Sequence, residues 1–437
     1  MANLRYFGTD GVRGKALASP LTLAETARWG QAWSRVAQAR GIRELVIGWD
    51  SRLSSEPLAQ AFLQGLGDGL HAEVLGLVPT PAVAWVTQRR PQAWGLMISA
   101  SHNPPEDNGL KGFNHLGEKL SEEDEAAVEA AFEAAPEIKT GARSLEADAQ
   151  EVEAYLTHLQ GLELPSSFPI VVDCAHGATA PWAPRLLRGA VQWMGTPADG
   201  ARINVGVGST HMEALKARVR ESGAAAGIAF DGDGDRCLFV DDQGQEVDGD
   251  QLMWLLAQDR HAQGLPLPGV VGTLMTNGGL EEALRALNLP LVRTAVGDKF
   301  MLRELGRRGW DLAAEASGHV IQKHLGPSGD GLATALEALR VLLRRAPETR
   351  WTWRFRPWPL RLLNLVAQER RPVEACTRLT AAMAALEARH GEALRLVVRW
   401  SGTEPKLRLM VEAREAALME EALAELEKAA KADLGMV

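Results

Sequence analysis

The sequence predicts an α/β fold of three similar α/β domains followed by a smaller α+β domain. Two observations carry that prediction. Short apolar, β-branched runs end in loops of Gly, Asp, Ser and Asn, and a helical pattern follows each one: ELVIGWDSRLSSE (44–56), FPIVVDCAHGAT (168–179), GIAFDGDGDR (227–236) and GVVGTLMTNGGLEEALRAL (269–287). Strands alternating with helices build layered α/β domains whose functional loops lie at strand ends. The C-terminal part differs in character, with strands near 393–399 and 406–413 and a Glu/Ala/Lys helix near 414–432.

Taken in order, SEEDEAAVEAAFEAA (121–135) predicts an exposed helix, with Ser121 as N-cap and Asp124 as its capping-box partner. The Pro/Ser stretch ELPSSFP (163–169) precedes a new strand and opens a second unit. DGDQLMWLLAQDRHAQGLPLPGVV (248–271) bridges a second and a third, and the basic, Trp- and Pro-rich ETRWTWRFRPWP (348–359) reads as a linker into the last. These features divide the chain into domains at 1–152, 153–250, 251–355 and 356–437.

With 437 residues the chain is long enough for about two to four domains. Its 46% hydrophobic and 24% charged residues are those of an ordinary globular protein. A net charge of −9 argues against a general nucleic-acid binder. The three cysteines, Cys174, Cys237 and Cys376, are far apart and unlike any zinc spacing, which fits a reducing compartment. The start MANLRYFGTDGVRG shows no basic-then-apolar signal, and no apolar run reaches the ~18 residues of a membrane span. A soluble, cytoplasmic protein is therefore expected, with neither nucleic-acid nor membrane partners.

The strongest chemical signal is AFDGDGDRCLFVDD (229–242), in which Asp231, Asp233 and Asp235 alternate with glycines after an apolar run. Carboxylates this close repel unless a cation sits among them, and Mg²⁺ takes carboxylates together with substrate phosphate oxygens. A calcium EF-hand fails, because Arg236 occupies the sixth loop position, which needs Gly, and Asp242 the twelfth, which wants Glu. Arg236 suits a phosphate beside the metal.

In ISASHNPPEDNGLKGF (98–113), a strand ends in a hydroxyl, an imidazole and an amide, with Lys111 ten residues beyond Ser101. Ser101 and His102 are neighbours, and in an extended chain they point to opposite sides, so a Ser–His hydrolase dyad between them is not expected. The G-x-S-x-G elbow is missing as well. Ser101 suits a phosphoryl carrier, whose chemistry rests on positioning and charge, with Lys111 neutralising charge or moving protons. In VRWSGTEPKLRLMVEA (398–413), Ser401, Gly402 and Thr403 could form an anion-binding concavity flanked by Arg399 and Arg408. In AAEASGHV (313–320), Glu315 and Ser317 could bond sugar hydroxyls, and His319 titrates in the range for proton transfer. YFGTDGVRG (6–14), with Thr9, Asp10 and Arg13, is a weaker signal. GDG (329–331) and VPTPAV (78–83) read as loop geometry.

SASHNPPEDNGLKGF, DGDGDR, EASGH and SGTEPKLR, in this order, resemble the phosphoserine, metal, sugar and phosphate loops of the α-D-phosphohexomutase superfamily. The match spans nearly the whole chain. YFGTDGVRG, VVDCAHGAT and NVGVGSTHMEAL further resemble its bacterial amino-sugar branch. The chain departs from the usual pattern at Ala313, Ala314 and Ala316 around the sugar-loop glutamate, at Trp400, and at His176.

The resemblance implies four domains with mixed sheets around a central cleft, the last closing over substrate, and it suggests a homodimer. It further implies that Ser101 carries a phosphoryl group and that one Mg²⁺ is held by Asp231, Asp233, Asp235 and a phosphoserine oxygen. The substrate phosphate would lie at Arg399, Ser401, Gly402, Thr403 and Arg408, and the hydroxyls at Glu315 and Ser317. Arg13, Lys111, His102 and His319 would stabilise charge and move protons. The implied reaction interconverts glucosamine 6-phosphate and glucosamine 1-phosphate through glucosamine 1,6-bisphosphate, feeding UDP-N-acetylglucosamine and cell-wall synthesis. A glucose or mannose phosphate mutase of the same fold, a metal-dependent sugar phosphatase and a non-catalytic sugar-phosphate binder are the alternatives. The last has no need of both a serine carrier and three metal aspartates.

Overall fold

The fold is described from a computed structural model that covers residues 4–8, 10–66, 69–136, 145–367, 370–400 and 405–435. The chain forms two units, one of residues 1–273 and 294–353, the other of residues 274–293 and 354–437.

In the first unit the leading sheet runs in the order Phe7–Gly8, Gly11–Lys15, Asp107–Phe113, Ala93–Ile98, Glu44–Trp49, His71–Leu77. Its last three strands are parallel, and Asp107–Phe113 turns back antiparallel against Ala93–Ile98. The run AWGLMI is buried at every position, as a central strand covered on both faces must be. Helix Leu23–Ala39 begins at a complete capping box between Thr22 and Glu25 and buries Trp29 and Trp33. It meets helix Ser55–Gly65 closely enough that a Cβ on Gly30 would lie 2.0 Å from the Phe62 carbonyl oxygen, and one on Gly65 1.8 Å from that of Ala27. Two glycines facing each other's backbone fix this contact.

Helix Glu122–Ala134 follows Ser121, whose hydroxyl accepts the Asp124 N–H at 3.1 Å. The Asp124 carboxylate accepts from the Ser121 hydroxyl at 2.8 Å rather than from the Ser121 backbone N–H, so half of the expected capping box forms. This helix is not simply exposed. Val128 and Phe132 are buried, Phe132 stacks on Trp29 with centroids 3.6 Å apart, and Glu129 accepts the backbone N–H groups of Arg5, Tyr6 and Phe7.

A second sheet runs Val191–Met194, Ile170–Asp173, Ala226–Phe230, Cys237–Asp241, Glu246–Val247, the first three parallel and the rest antiparallel. Here two sequence expectations are corrected. No helix follows GIAFDGDGDR: Phe230 pairs with Cys237, and the buried run CLFVD returns as a strand. The turn that permits this contains Gly234 at φ 71°. After Ile170–Asp173, Ala175 and His176 both adopt left-handed backbone (φ 54° and 53°), which a right-handed helix cannot accommodate, and the helix shrinks to Ala183–Leu186. A third sheet repeats the pattern, with Val270–Thr273 parallel to Leu312–Ala314 and Val320–Gln322 antiparallel to the latter.

In the second unit, Leu360–Val366, Lys406–Ala413 and Leu394–Trp400 form an antiparallel sheet with the Lys406–Ala413 strand central. Helices Thr377–His390 and Ala416–Leu434 cover its apolar face through Leu379, Leu386, Met419, Leu423 and Leu426. Glu412 accepts the Gly278 N–H at 3.0 Å and pairs with Arg395, which ties helix Gly278–Ala286 to this sheet. Among the described residues, no helix is long and apolar enough to cross a membrane.

The Trp29–Phe132 stack fastens the helix layer of the first sheet. Phe132→Ala is expected to lower stability by about 3–5 kcal/mol, read from the urea midpoint of the unfolding transition.

Candidate active site

Each of the three larger sheets of the first unit carries the same device, a hairpin between its last parallel strand and an antiparallel return. The three hairpin loops, 99–106, 231–236 and 315–319, carry the chemistry. Ser101 sits in the first, fully buried, with left-handed backbone at φ 54°. That conformation costs a non-glycine residue about 1–2 kcal/mol. Its hydroxyl donates to Asp231 Oδ2 at 2.6 Å. The expected divergence of Ser101 and His102 assumed extended backbone. In the turn that forms instead, His102 Nδ1 lies 3.4 Å from Ser101 Oγ. Burial, then Arg236 and Arg13, push the His102 pKa down to about 4, so its ring is neutral near pH 7.

Asp231, Asp233 and Asp235 are buried, and each offers a carboxylate oxygen within 4.8 Å of the others. Burial, reinforced by Asp235 and Asp233, raises the Asp231 carboxyl well above its usual range. Asp233 Oδ2 accepts from Lys111 Nζ at 2.6 Å and from Thr80 Oγ1 at 2.5 Å. Asp233 Oδ1 and Asp235 Oδ1 are buried and accept no hydrogen bond. Three converging hard carboxylates, two with an oxygen left over, fit a divalent cation.

Lys111 lies on strand Asp107–Phe113 and is buried. Desolvation would lower its pKa, but Asp10, Asp233 and Asp235 outweigh it and hold the ammonium charged. Further pairs extend this contact into a closed ring of alternating charge. Lys111 Nζ is 3.6 Å from Asp10 Oδ2, Asp10 pairs with Lys119, and Lys119 Nζ is 2.8 Å from Asp298 Oδ1. Asp298 Oδ2 is 3.7 Å from His319 Nε2, His319 Nδ1 is 3.7 Å from Asp235 Oδ1, and Asp235 Oδ2 is 3.6 Å from Lys111 Nζ. Burial opposes the charge on His319, but Asp235 and then Asp298 raise its pKa to about 9. Arg13, on strand Gly11–Lys15, pairs with Asp10 beside the ring. Arg236 donates its backbone N–H to Asp231 Oδ1 at 3.1 Å, with Nε 3.8 Å from Asp235.

Glu315 Oε1 accepts the Gly297 N–H at 3.0 Å, and the exposed Ser317 reaches Glu315 Oε2 at 3.5 Å. In the second unit, Arg399 and Arg408 face each other directly across adjacent strands. Burial, and then Arg408, lower the Arg399 pKa. Ser401, Gly402 and Thr403 lie outside the described residues.

Several contributors escaped sequence reasoning. Thr80, in the VPTPAV stretch read as plain loop, donates its side chain and backbone N–H to Asp233. GDG at 329–331 does more than turn: Asp330 caps helix Gly331–Leu343, and the Gly331 N–H reaches the Gly234 carbonyl at 3.0 Å. Lys119 and Asp298 sit in ordinary-looking polar stretches, and only their long-range pairing gives them meaning.

The chain matches the phosphoglucomutase/phosphomannomutase alpha/beta/alpha domain I over residues 4–139, domain II over 153–244, domain III over 248–351, and the C-terminal domain over 362–429. It belongs to the phosphoglucomutase/phosphomannomutase family of phosphosugar mutases, and is an enzyme of the isomerase class with three α/β domains and a fourth, C-terminal one. Among its curated relatives is the phosphoglucosamine mutase of Chromohalobacter salexigens, 40% identical over 428 residues that cover 94% of each chain. A phosphoglucomutase/phosphomannomutase family protein of Burkholderia thailandensis shares the fold with a TM-score of 0.80 at 24% identity, covering 98% of both chains. The N-acetylphosphoglucosamine mutase of Aspergillus fumigatus, solved with GlcNAc-6P and magnesium, shares it with a TM-score of 0.63 at 18% identity, over 99% of this chain and 96% of that one.

Two predictions come from the ring. Lys119→Met takes from Asp10 and Asp298 the cation they share, leaving Asp10 to Arg13 and Lys111 and Asp298 to His319 alone, and is expected to destabilise the protein by about 3–5 kcal/mol. Adding Asp298→Asn should restore part of that loss in the melting temperature. In chelator-treated protein, His319 has a folded pKa of about 9 against an ordinary 6.5. Its stabilising contribution is fully present below pH 6.5 and is lost as pH rises through 9. Urea titrations from pH 6 to 10 should show this loss in the wild type and a smaller one in His319→Gln.

Proposed function

We propose that the chain interconverts glucosamine 6-phosphate and glucosamine 1-phosphate through a phosphoryl group carried on Ser101. The observation that carries this reading is the hydrogen bond from Ser101 Oγ to Asp231, which puts the only hydroxyl nucleophile of the 99–106 loop with this contact at the carboxylate cluster. The name of the 40%-identical relative supports the amino-sugar substrate, and the magnesium in the Aspergillus enzyme supports the identity of the cation.

Asp231, Asp233 and Asp235, with an oxygen of the Ser101 phosphate, would hold one Mg²⁺, whose charge offsets that of the transferring phosphoryl group. The phosphoryl group passes from Ser101 Oγ to the sugar O1: the P–Oγ bond breaks, a P–O1 bond forms, and the proton that O1 gives up is balanced by one that the freed Ser101 Oγ takes up. The resulting glucosamine 1,6-bisphosphate turns over and returns its 6-phosphoryl group to Ser101, leaving glucosamine 1-phosphate. Lys111, His319 and Arg13 stabilise charge around the transferring group, and with His102 they are the groups through which protons move. Arg236 approaches the phosphate beside the carboxylates. Arg399 and Arg408, with Ser401, Gly402 and Thr403, take the phosphate that is not reacting, and Glu315 and Ser317 take hydroxyls. Placement in the cytoplasm, assembly as a homodimer and supply of UDP-N-acetylglucosamine synthesis follow from the same family reading.

The test is an isomerisation assay of Mg²⁺-loaded, bisphosphate-primed protein with glucosamine 6-phosphate, glucose 1-phosphate and mannose 1-phosphate, with free phosphate followed in parallel. A preference for the amino sugar is expected. A neutral-hexose preference would reject the substrate and keep the chemistry, and phosphate release without isomer would reject the mutase. Ser101→Ala is expected to abolish turnover while calorimetry still records sugar-phosphate binding. Thorough metal removal should stop turnover, and activity that survived it would reject the aspartate cluster's role.

A further inference from the structure

The loop that carries Ser101 is held from below by one arginine, in the ELVIGWDSRLSSE stretch, that was not among the candidate site residues. Arg52 and its partner Asp50 are completely buried. A guanidinium has five N–H donors in a fixed fork, and all five are used here. Nε donates to Asp50 Oδ2 at 2.9 Å. Nη1 donates to the carbonyls of Pro104 and of Asp107, the latter at 2.9 Å. Nη2 donates to the carbonyls of Ser101 at 2.9 Å and Asn103 at 2.8 Å. Three backbone carbonyls of the loop and that of Asp107, the first residue of the strand after it, thus converge on one planar group.

Asp50 is equally complete. It accepts from Arg52 N and Nε, from Ser55 Oγ at 2.7 Å and from Ser99 Oγ at 2.7 Å. Ser99 Oγ in turn accepts the Ser101 N–H at 2.8 Å. The peptide group before Ser101 and the one after it are therefore both tied to the same buried ion pair. From the second sheet's side, Asn204 repeats the grip, with Nδ2 donating to the carbonyls of Ser101 at 2.8 Å and Asn103 at 2.9 Å.

We propose that Arg52 is a positioning residue for phosphoryl transfer: with Asn204, it holds Ser101 in its left-handed conformation and so aims Oγ at the Asp231 cluster. Neither side chain reaches the reacting atoms. Both act through the Ser101 and Asn103 carbonyls, so their loss should disturb the transfer step more than sugar-phosphate binding, whose residues lie on other loops. This inference rests on the phosphoserine reading given above.

The experiment measures kcat and KM for glucosamine 6-phosphate with the full-length, Mg²⁺-loaded, bisphosphate-primed wild type, Arg52→Lys and Asn204→Ala, with a melting temperature for each. Lysine keeps the charge beside Asp50 but cannot reach four carbonyls. We expect Arg52→Lys to lower kcat about 100-fold with KM nearly unchanged, a misplacement effect. Asn204→Ala, which leaves no buried charge unpaired, should give a smaller fall of the same kind. Mass spectrometry should show slower phosphorylation of Ser101 by glucosamine 1,6-bisphosphate in both variants. Wild-type kcat in both variants would overturn the inference, as would a loss fully accounted for by the unfolded fraction. Should Arg52→Lys not fold, Asn204→Ala decides alone, and an unchanged kcat in it rejects the proposal. A wild type without mutase activity would instead remove the phosphoserine reading itself.

Discussion

Three carboxylates placed within five residues and removed from water repel one another strongly, and the first unit is arranged around that repulsion. Asp231, Asp233 and Asp235 are all buried. The protein answers only part of their charge: Lys111 and Thr80 satisfy one oxygen of Asp233, and His319 and Lys111 stand near Asp235. The remainder appears as a raised Asp231 carboxyl and two unbonded oxygens. A purely structural cluster would be neutralised to completion, because an orphaned buried acceptor costs about 1–3 kcal/mol. Incomplete compensation is what a site built for an additional cation requires.

The cations that do the partial compensation need anions of their own, since a buried ammonium is as costly as a buried carboxylate. This accounts for the closed ring. Lys111 answers Asp233 and Asp235 and is itself shared with Asp10; Asp10 takes Lys119, Lys119 takes Asp298, and Asp298 reaches His319, which returns to Asp235. Segments from all three larger sheets of the first unit contribute members, so assembling the carboxylate cluster and bringing those sheets together are coupled. The repeated hairpin supplies the means. A parallel strand that turns directly into an antiparallel partner exposes a short loop at the sheet's end without a helix in the way, and three such loops can meet.

This arrangement explains which parts of the molecule were legible in the sequence. The three aspartates, Ser101 and Lys111 lie close together along the chain, and a local pattern displays them. The α/β class was equally legible from the recurring apolar runs, and the last unit's strands, Leu394–Trp400 and Lys406–Ala413, from theirs. The helix expected after DGDGDR was not there, because CLFVD is short and fully buried, and periodicity alone does not separate a buried strand from a helix segment. Lys119, Asp298, Arg52 and Asn204 were invisible for another reason. Each acts on residues far away in sequence, Asn204 on Ser101 across 103 positions and Arg52 across 49, so even where the surrounding stretch was noticed, as in ELVIGWDSRLSSE and NVGVGSTHMEAL, no local pattern gave the residue a role. The departure of His102 from its expected direction came from a single backbone angle at Ser101, which composition does not reveal.

A chain with one phosphoryl-carrying serine has to use it for both half-reactions, so its ligand must offer first one oxygen and then the other to the same buried hydroxyl. Recognition at the far end cannot then depend on which carbon bears the idle phosphate. The Arg399–Arg408 pair suits that demand. Under the proposed reaction, two guanidiniums set opposite each other on adjacent strands would read charge and planar oxygen geometry rather than the identity of the sugar carbon. Selectivity for the sugar has to come from groups that bond its hydroxyls or its amine, and Glu315 and Ser317 on the third hairpin loop are of that kind. Under the proposed reaction the two tasks would divide by chemistry: the fully bonded frame under Ser101 would serve the step that must be aimed, and the less constrained Glu315 and Ser317 a ligand that must turn around.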